Sequence, residues 1–141
     1  LAAAPDRSLL RQWLAAFELE ALGEISSSLE QALDRRLQQN SLYLWQNETP
    51  VTMVGGNRSP ADAAFGPMFG WIAPVYTPPE QRCRGYATAA TAAVSQHLLE
   101  QGCHCCFLLA DLHNPTANHI YQKIGYQPIC EWHEYEFSNS L

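Results

Sequence analysis

Leu9, Leu10, Trp13, Leu14, Phe17 and Leu22 recur at helical spacing. Residues 6–22 therefore read as an amphipathic helix, with Asp6 as N-cap and Gly23 as stop. A second helical pattern covers residues 27–38, carries Leu29, Leu33 and Leu37 on one face, and ends near Asn40. Two short strand-like runs follow at 41–46 and 50–55, separated by the turn formers Asn47, Glu48 and Thr49, so an antiparallel hairpin is expected. Residues 57–66 are rich in Gly, Pro, Asp and Ser and read as loop, and 69–77 read as a third strand. Pro74 lies inside that strand, and because proline cannot donate to a ladder, a local break in pairing is expected there. Beyond it, 85–101 is Ala-rich and helical, 103–110 is an apolar strand, 116–124 is a shorter helix, and 126–137 is mostly extended.

The third strand, the long helix and the strand at 103–110 form a strand, helix, strand unit. That order favours a parallel pair joined by a right-handed crossover. The expected class is α/β or α+β with a mixed sheet. At 141 residues the chain fits one domain. A hydrophobic share of 47% against 16% charged residues belongs to a packed globular protein rather than a disordered one.

The formal charge of −6 argues against a nucleic-acid binder, which needs clustered Lys and Arg to neutralise phosphates. No apolar run approaches the roughly 20 residues of a membrane helix, and Leu1 to Ala4 do not spell a signal peptide, so a soluble, cytoplasmic protein is expected. Five cysteines, three of them crowded at Cys103, Cys105 and Cys106, predict reduced thiols rather than a disulfide framework. Zinc at Cys103, His104, Cys105 and Cys106 is the alternative to apolar filling. Successive strand residues point to opposite faces and do not converge on one ion, so no metal is expected.

Candidate chemistry gathers where the third strand leaves through Val75, Tyr76 and Thr77, turns, and enters the long helix at Gly85, Tyr86 and Ala87. Such a junction points unpaired backbone N–H groups and the positive helix end into the loop, which makes an anion site. A hydrogen bond to a charged group is worth roughly 1.5–3 kcal/mol, against about 0.3–1 kcal/mol for the helix dipole, so backbone amides dominate the grip. Neither a Gly-x-x-x-x-Gly-Lys-Ser/Thr run nor a Gly-x-Gly-x-x-Gly after a strand occurs, which removes the nucleotide-kinase and dinucleotide readings.

Arg82, Cys83, Arg84, Gly85, Tyr86 and Ala87 resemble the Gln/Arg-x-x-Gly-x-Gly/Ala motif of GNAT acetyltransferases. The run Asn114, Pro115, Thr116, Ala117, Asn118, then Ile120, Tyr121, Gln122, Lys123, Ile124, Gly125 and Tyr126 is similar to the family's second signature. The likeness is strong from about 42 to 137 and weaker in the first two helices. The family's first strand is nearly missing, with Leu1 to Ala4 at most its tail, as in the C-terminal module of a longer protein.

The resemblance implies one GNAT domain over 1–141: a mixed, mostly antiparallel sheet with a splayed parallel strand pair, flanked by helices. It implies acetyl-CoA as co-substrate, no metal, and direct acetyl transfer to a primary amine on a small molecule or peptide. Its rival is a catalytically silent CoA-binding regulatory or structural domain. A homodimer or a further domain in a longer chain is compatible with it. Carried over by position, it places Val75, Tyr76 and Thr77 along the pantetheine arm, with the Val75 amide near the thioester carbonyl as an oxyanion donor. It places Arg82, Cys83, Arg84, Gly85, Tyr86, Ala87 and Thr88 around the pyrophosphate, and Asn114 and Asn118 across the cleft. Tyr121 matches the general acid that protonates the departing thiolate, or else only hydrogen-bonds CoA.

Two positions depart from the family pattern. Where many members carry a Glu base, four residues before Val75, this chain has Trp71, so His113, Glu80 or a relayed water stand as alternatives. Cys83 stands where many relatives have glycine, which the cradle tolerates if Cys83 keeps negative φ; a reactive thiol there would depend on its exposure. Trp13 and Phe17 either line the acceptor pocket or pack, and Trp132, Tyr135 and Phe137 read as core or interface.

Overall fold

The computed structural model describes residues 1–59, 66–133 and 135. Helices α1 (Arg7–Leu22) and α2 (Leu29–Gln38) precede strands β1 (Leu42–Asn47), β2 (Thr49–Arg58) and β3 (Gly70–Tyr76). Helix α3 (Tyr86–Glu100), strand β4 (Cys106–Phe107) and helix α4 (Pro115–Lys123) complete the order. The four strands form one sheet in sequence order, antiparallel from β1 to β3 and parallel between β3 and β4. This is the mixed, mostly antiparallel sheet with one parallel strand pair that the resemblance implies. No helix among the described residues is long and apolar enough to cross a membrane.

The sheet is covered on both faces because β2 alternates. Met53 joins Leu10, Trp13, Leu14, Leu29 and Leu33 under α1 and α2, while Val54 joins Ala90, Val94 and Leu98 under α3. Arg7 bonds to Glu30 at 2.9 Å and Asp34 at 2.8 Å, and Arg11 also pairs with Glu30, tying α1 to α2 at the surface. Gly23, at φ +81°, ends α1 as expected, its amide returning to the Leu19 carbonyl. Asp6 does not cap α1; its carboxylate turns back to accept from the Ala3 amide at 2.9 Å. The Ala2 amide donates to the Leu42 carbonyl at 2.8 Å, so the first residues touch the outer edge of β1.

The break expected at Pro74 is a bulge. Val54 pairs with Val75 and Gly56 with Ile72, so Ala73 and Pro74 together face the single residue Gly55. The extra residue reverses the alternation of β3. Ile72 packs under α3, whereas Tyr76, four residues on and on the same face in a regular strand, joins the core under α1 and α2.

Three expectations are corrected. Asn57 and Arg58 continue β2, paired with Trp71 and Gly70, instead of opening the loop. The strand expected at 103–110 has only two ladder pairs, Gly70 with Cys106 and Trp71 with Phe107, because β3 turns away at its bulge just beyond. Residues 126–133 form no regular element, and of the remainder of the extended run expected at 126–137 only Tyr135 is described, so Phe137 lies outside the described residues. Trp132 and Tyr135 are exposed, not core. Cys103 fills the core beneath α3, and burial raises the thiol pKa values of Cys103 and Cys106, the latter to about 11.

A Cβ built on Gly55 would stand 2.0 Å from the Ala73 carbonyl oxygen and 2.6 Å from its carbon, both backbone atoms with little room to retreat. Gly55→Ala is therefore expected to destabilise the fold by about 3 kcal/mol, read as a lower urea midpoint. An unchanged midpoint would show that the bulge relaxes freely.

Candidate active site

The strand-to-helix junction is held from below and from the side. Thr77 bonds through its hydroxyl to that of the fully buried Thr52 on β2, fixing the end of β3. Arg82 then folds back over the turn: its Nε donates to the Thr77 carbonyl at 2.8 Å, and one terminal nitrogen donates to both carboxylate oxygens of Glu20, each at 2.8 Å. The same guanidinium lies 5.9 Å from the ring centroid of Tyr76. Arg82 thus works as a strut between α1 and the loop. Glu20 was not legible as its partner, because the two are 62 residues apart in sequence.

Cys83 at φ +60° and Gly85 at φ +79° turn the chain sharply on either side of Arg84. The negative φ on which tolerance of Cys83 is conditional is not found: the turn takes a left-handed residue there, so glycine suits the position better. Among the amides from Cys83 to Thr88, that of Arg84 closes a weak turn over Arg82 and Cys83; the other five find no acceptor among the described residues, while the Ala89 amide already bonds the Gly85 carbonyl. These five donors lie at the positive end of the 15-residue helix α3. Tyr86 is positioned separately, its hydroxyl accepting from Asn47 Nδ2 at 3.1 Å.

Across the opening, α4 begins at Asn114, whose Oδ1 accepts from the Ala117 amide at 3.0 Å. Asn118 Nδ2 donates to the carbonyls of Asp111 at 2.8 Å and Asn114 at 2.9 Å, so these two amides brace the turn that carries the helix. Tyr121 is partly buried, packs edge-on to Tyr126 with centroids 6.2 Å apart, and has its pKa raised by burial. Its hydroxyl has no hydrogen-bond partner among the described residues. Tyr126 is different: its hydroxyl bonds Ser95 Oγ at 2.7 Å, Ser95 donates on to the Thr91 carbonyl at 2.8 Å, and burial pushes the phenol to about 12. That chain docks the end of α4 against α3 and leaves Tyr121 as the phenol with an uncommitted proton.

Both candidate bases are exposed. His113 is exposed and engaged with Asp111, through its amide at 2.8 Å and its Nδ1 at 3.2 Å; these two contacts hold the Asp111 carboxyl below the usual range. Glu80 is exposed on a short 3-10 turn, Pro79–Gln81. Trp71 sits in the ladder between Asn57 and Phe107.

Two cavities flank the sheet. A broad open groove of about 1330 Å³ runs between α3 and the outer strands, past Tyr43, Arg58 and His97, and holds none of the expected site residues. A smaller cavity of about 130 Å³ lies between α1, α2 and the bulge; Phe17 lines it, while Trp13 packs into the core against Tyr76. Arg36 reaches this cavity from α2 and donates to the Ala73 carbonyl at 2.9 Å, a contact no sequence motif announces.

Residues 7–126 match the profile of the acetyltransferase (GNAT) family. A search of curated proteins finds no match. Among solved structures, a transcriptional regulator from Bacillus halodurans superposes with a TM-score of 0.78 at 22% identity, covering 96% of each chain. A predicted acetyltransferase from Clostridium acetobutylicum, solved with acetyl-CoA, gives 0.69 at 23% identity over 96% of this chain and 92% of that one. An aminoglycoside acetyltransferase from an uncultured soil metagenomic sample, in complex with sisomicin, gives 0.68 at 18% over 99% and 93%.

A side chain in the left-handed region costs roughly 1–2 kcal/mol that glycine avoids. Allowing for the greater chain entropy of glycine, Cys83→Gly is expected to stabilise the protein by about 1 kcal/mol, seen as a raised melting temperature. A lowered one would place the turn outside the left-handed region.

Proposed function

The chain belongs to the GNAT acetyltransferase family, whose co-substrate is acetyl-CoA, and on that premise we propose that residues 1–141 form one domain that transfers the acetyl group directly to a primary amine. The observation that carries this reading is the set of five amides between Cys83 and Thr88, at the start of α3, that are unpaired among the described residues. Backbone donors left open in this way suit a polyanion such as the CoA pyrophosphate, and the helix end adds favourable potential.

The remaining roles follow the same placement. β3 pairs with β4 only at Gly70 and Trp71, so Val75 and Tyr76 at its end and Thr77 just beyond have no ladder partner in β4; we assign them to the pantetheine arm, with the Val75 amide as oxyanion donor. Asn114 and Asn118 form the opposite wall. In the transfer the amine lone pair forms the new N–C bond, the C–S bond breaks, and Tyr121 gives its proton to the sulfur. The surplus proton of the amine leaves through water and restores the phenol. His113, Glu80 and a relayed water are the candidate bases.

Tyr121→Phe is expected to keep the thermal stabilisation by CoA and to lower turnover by about 10²-fold. Unchanged turnover removes the phenol from the mechanism. Because burial raises the Tyr121 pKa above the ordinary value of 10.0, the acid stays protonated through neutral and mildly alkaline pH. Turnover should therefore rise with pH as the amine deprotonates and decline only above about pH 10; a decline near neutrality contradicts the assignment.

Thiol release from acetyl-CoA across polyamines, amino acids, aminoglycosides and peptides tests the whole reading. Release with at least one amine is expected. CoA stabilisation without release from any of them would favour a silent binding domain, the reading that Trp71, standing in place of a glutamate base, supports.

A further inference from the structure

Arg36 stands on α2 with its guanidinium turned inward, half-buried against the bulge of β3. One terminal nitrogen is bonded to the Ala73 carbonyl, and its other N–H groups have no partner among the described residues. A guanidinium carries five donors, so most of this one is unspent. Burial and the adjacent Arg35 disfavour its charge, and Glu18 compensates only in part, forming no ion pair with it and spending one oxygen on the Ser26 amide at 2.8 Å. The pocket lacks a matched anion.

The walls say what else the occupant carries. Leu14, Phe17, Leu29 and Pro74 surround the guanidinium, and Glu18 and Arg36 are the charged residues of the lining. The volume of about 130 Å³ is of the order of cavities that hold a single small apolar group, which suits a branched aliphatic side chain. Two residues of strand separate Ala73 from Val75, at most roughly 7 Å, a gap that an amine and a carboxylate on one small molecule can span.

Resting on the acetyl-transfer reading above, we propose that the acceptor is a small aliphatic amino acid. Arg36 receives its carboxylate, the cavity receives its side chain, and its amine meets the thioester beside Val75. Arg36 is then the specificity residue, and its bond to Ala73 holds the guanidinium in place.

The test compares L-leucine, L-leucinamide and spermidine as acceptors by thiol release, in the wild type, Arg36→Gln and Arg36→Lys. Charged hydrogen bonds of this kind set the scale: kcat/KM for leucine should exceed that for leucinamide by about 10- to 100-fold. In Arg36→Gln the two should become equal, chiefly through loss of leucine, while Arg36→Lys keeps part of the preference. Equal use of leucine and leucinamide by the wild type overturns the proposal, as does an equal loss for both in Arg36→Gln, which would make the residue only a brace for the bulge. Turnover of spermidine but not leucine sinks the proposal and spares the enzyme reading. Separately, N-acetyl-L-leucine should raise the melting temperature of the wild type but not of Arg36→Gln, and N-acetyl-L-leucinamide should raise neither. That result without any thiol release would keep the pocket and overturn the acetyl-transfer reading.

Discussion

The central constraint is the two-for-one register at which Ala73 and Pro74 face Gly55. The Ala73 carbonyl occupies the space a side chain on Gly55 would need, so the bulge exists because β2 supplies a residue without Cβ opposite it. Three consequences follow from that one extra residue. Side-chain alternation reverses, sending Tyr76 toward α1 and leaving Val75 under α3. The parallel ladder stops after two pairs, which opens the sheet between β3 and β4. And the Ala73 carbonyl, turned out of the ladder, becomes the acceptor for Arg36.

The two rims of the opening are stabilised by different means. On the β3 side, Arg82 braces the turn from Thr77 to Gly85 against Glu20, with the Thr52 and Thr77 hydroxyls anchoring its start. The Arg82 and Glu20 side chains are about half exposed, so the pair's worth is modest and lies more in geometry than in stability. On the α4 side, Asn114 and Asn118 hold the approach, and the Tyr126 to Ser95 bond fixes the far end to α3. Both rims commit polar side chains to the scaffold. Among the described residues, five of the amides between Cys83 and Thr88 and the hydroxyl of Tyr121 have no partner.

Helix periodicity and the two signature runs made much of this legible before any fold was seen. The apolar stripes of α1 and α2, the Gly23 stop, the β1 to β2 hairpin, the break at Pro74 and the helix starting after Gly85 all follow from local rules of spacing, capping and proline geometry. So do the donors freed at the start of α3, which are a property of the local backbone. Local rules failed where an element's extent depends on a partner. Residues 103–110 are apolar enough for a full strand, yet a strand lasts only as long as its neighbour runs beside it, and β3 leaves after Trp71. The sign of φ at Cys83 was likewise set by the closure of the turn and not by the residue occupying it.

The amino-acid order by itself carried the mixed sheet, through short-range spacing and hydrogen-bonding rules, and the family with its co-substrate, through two contiguous runs that resemble the family's signatures. Tertiary structure alone decided which side chains are spent and which are free. Glu20 meets Arg82, Ser95 meets Tyr126, and Arg36 meets the Ala73 carbonyl across long stretches of chain. The physical reason is that a hydrogen bond depends on distance and direction in space, and neither is encoded in the spacing of residues once the chain has turned back on itself.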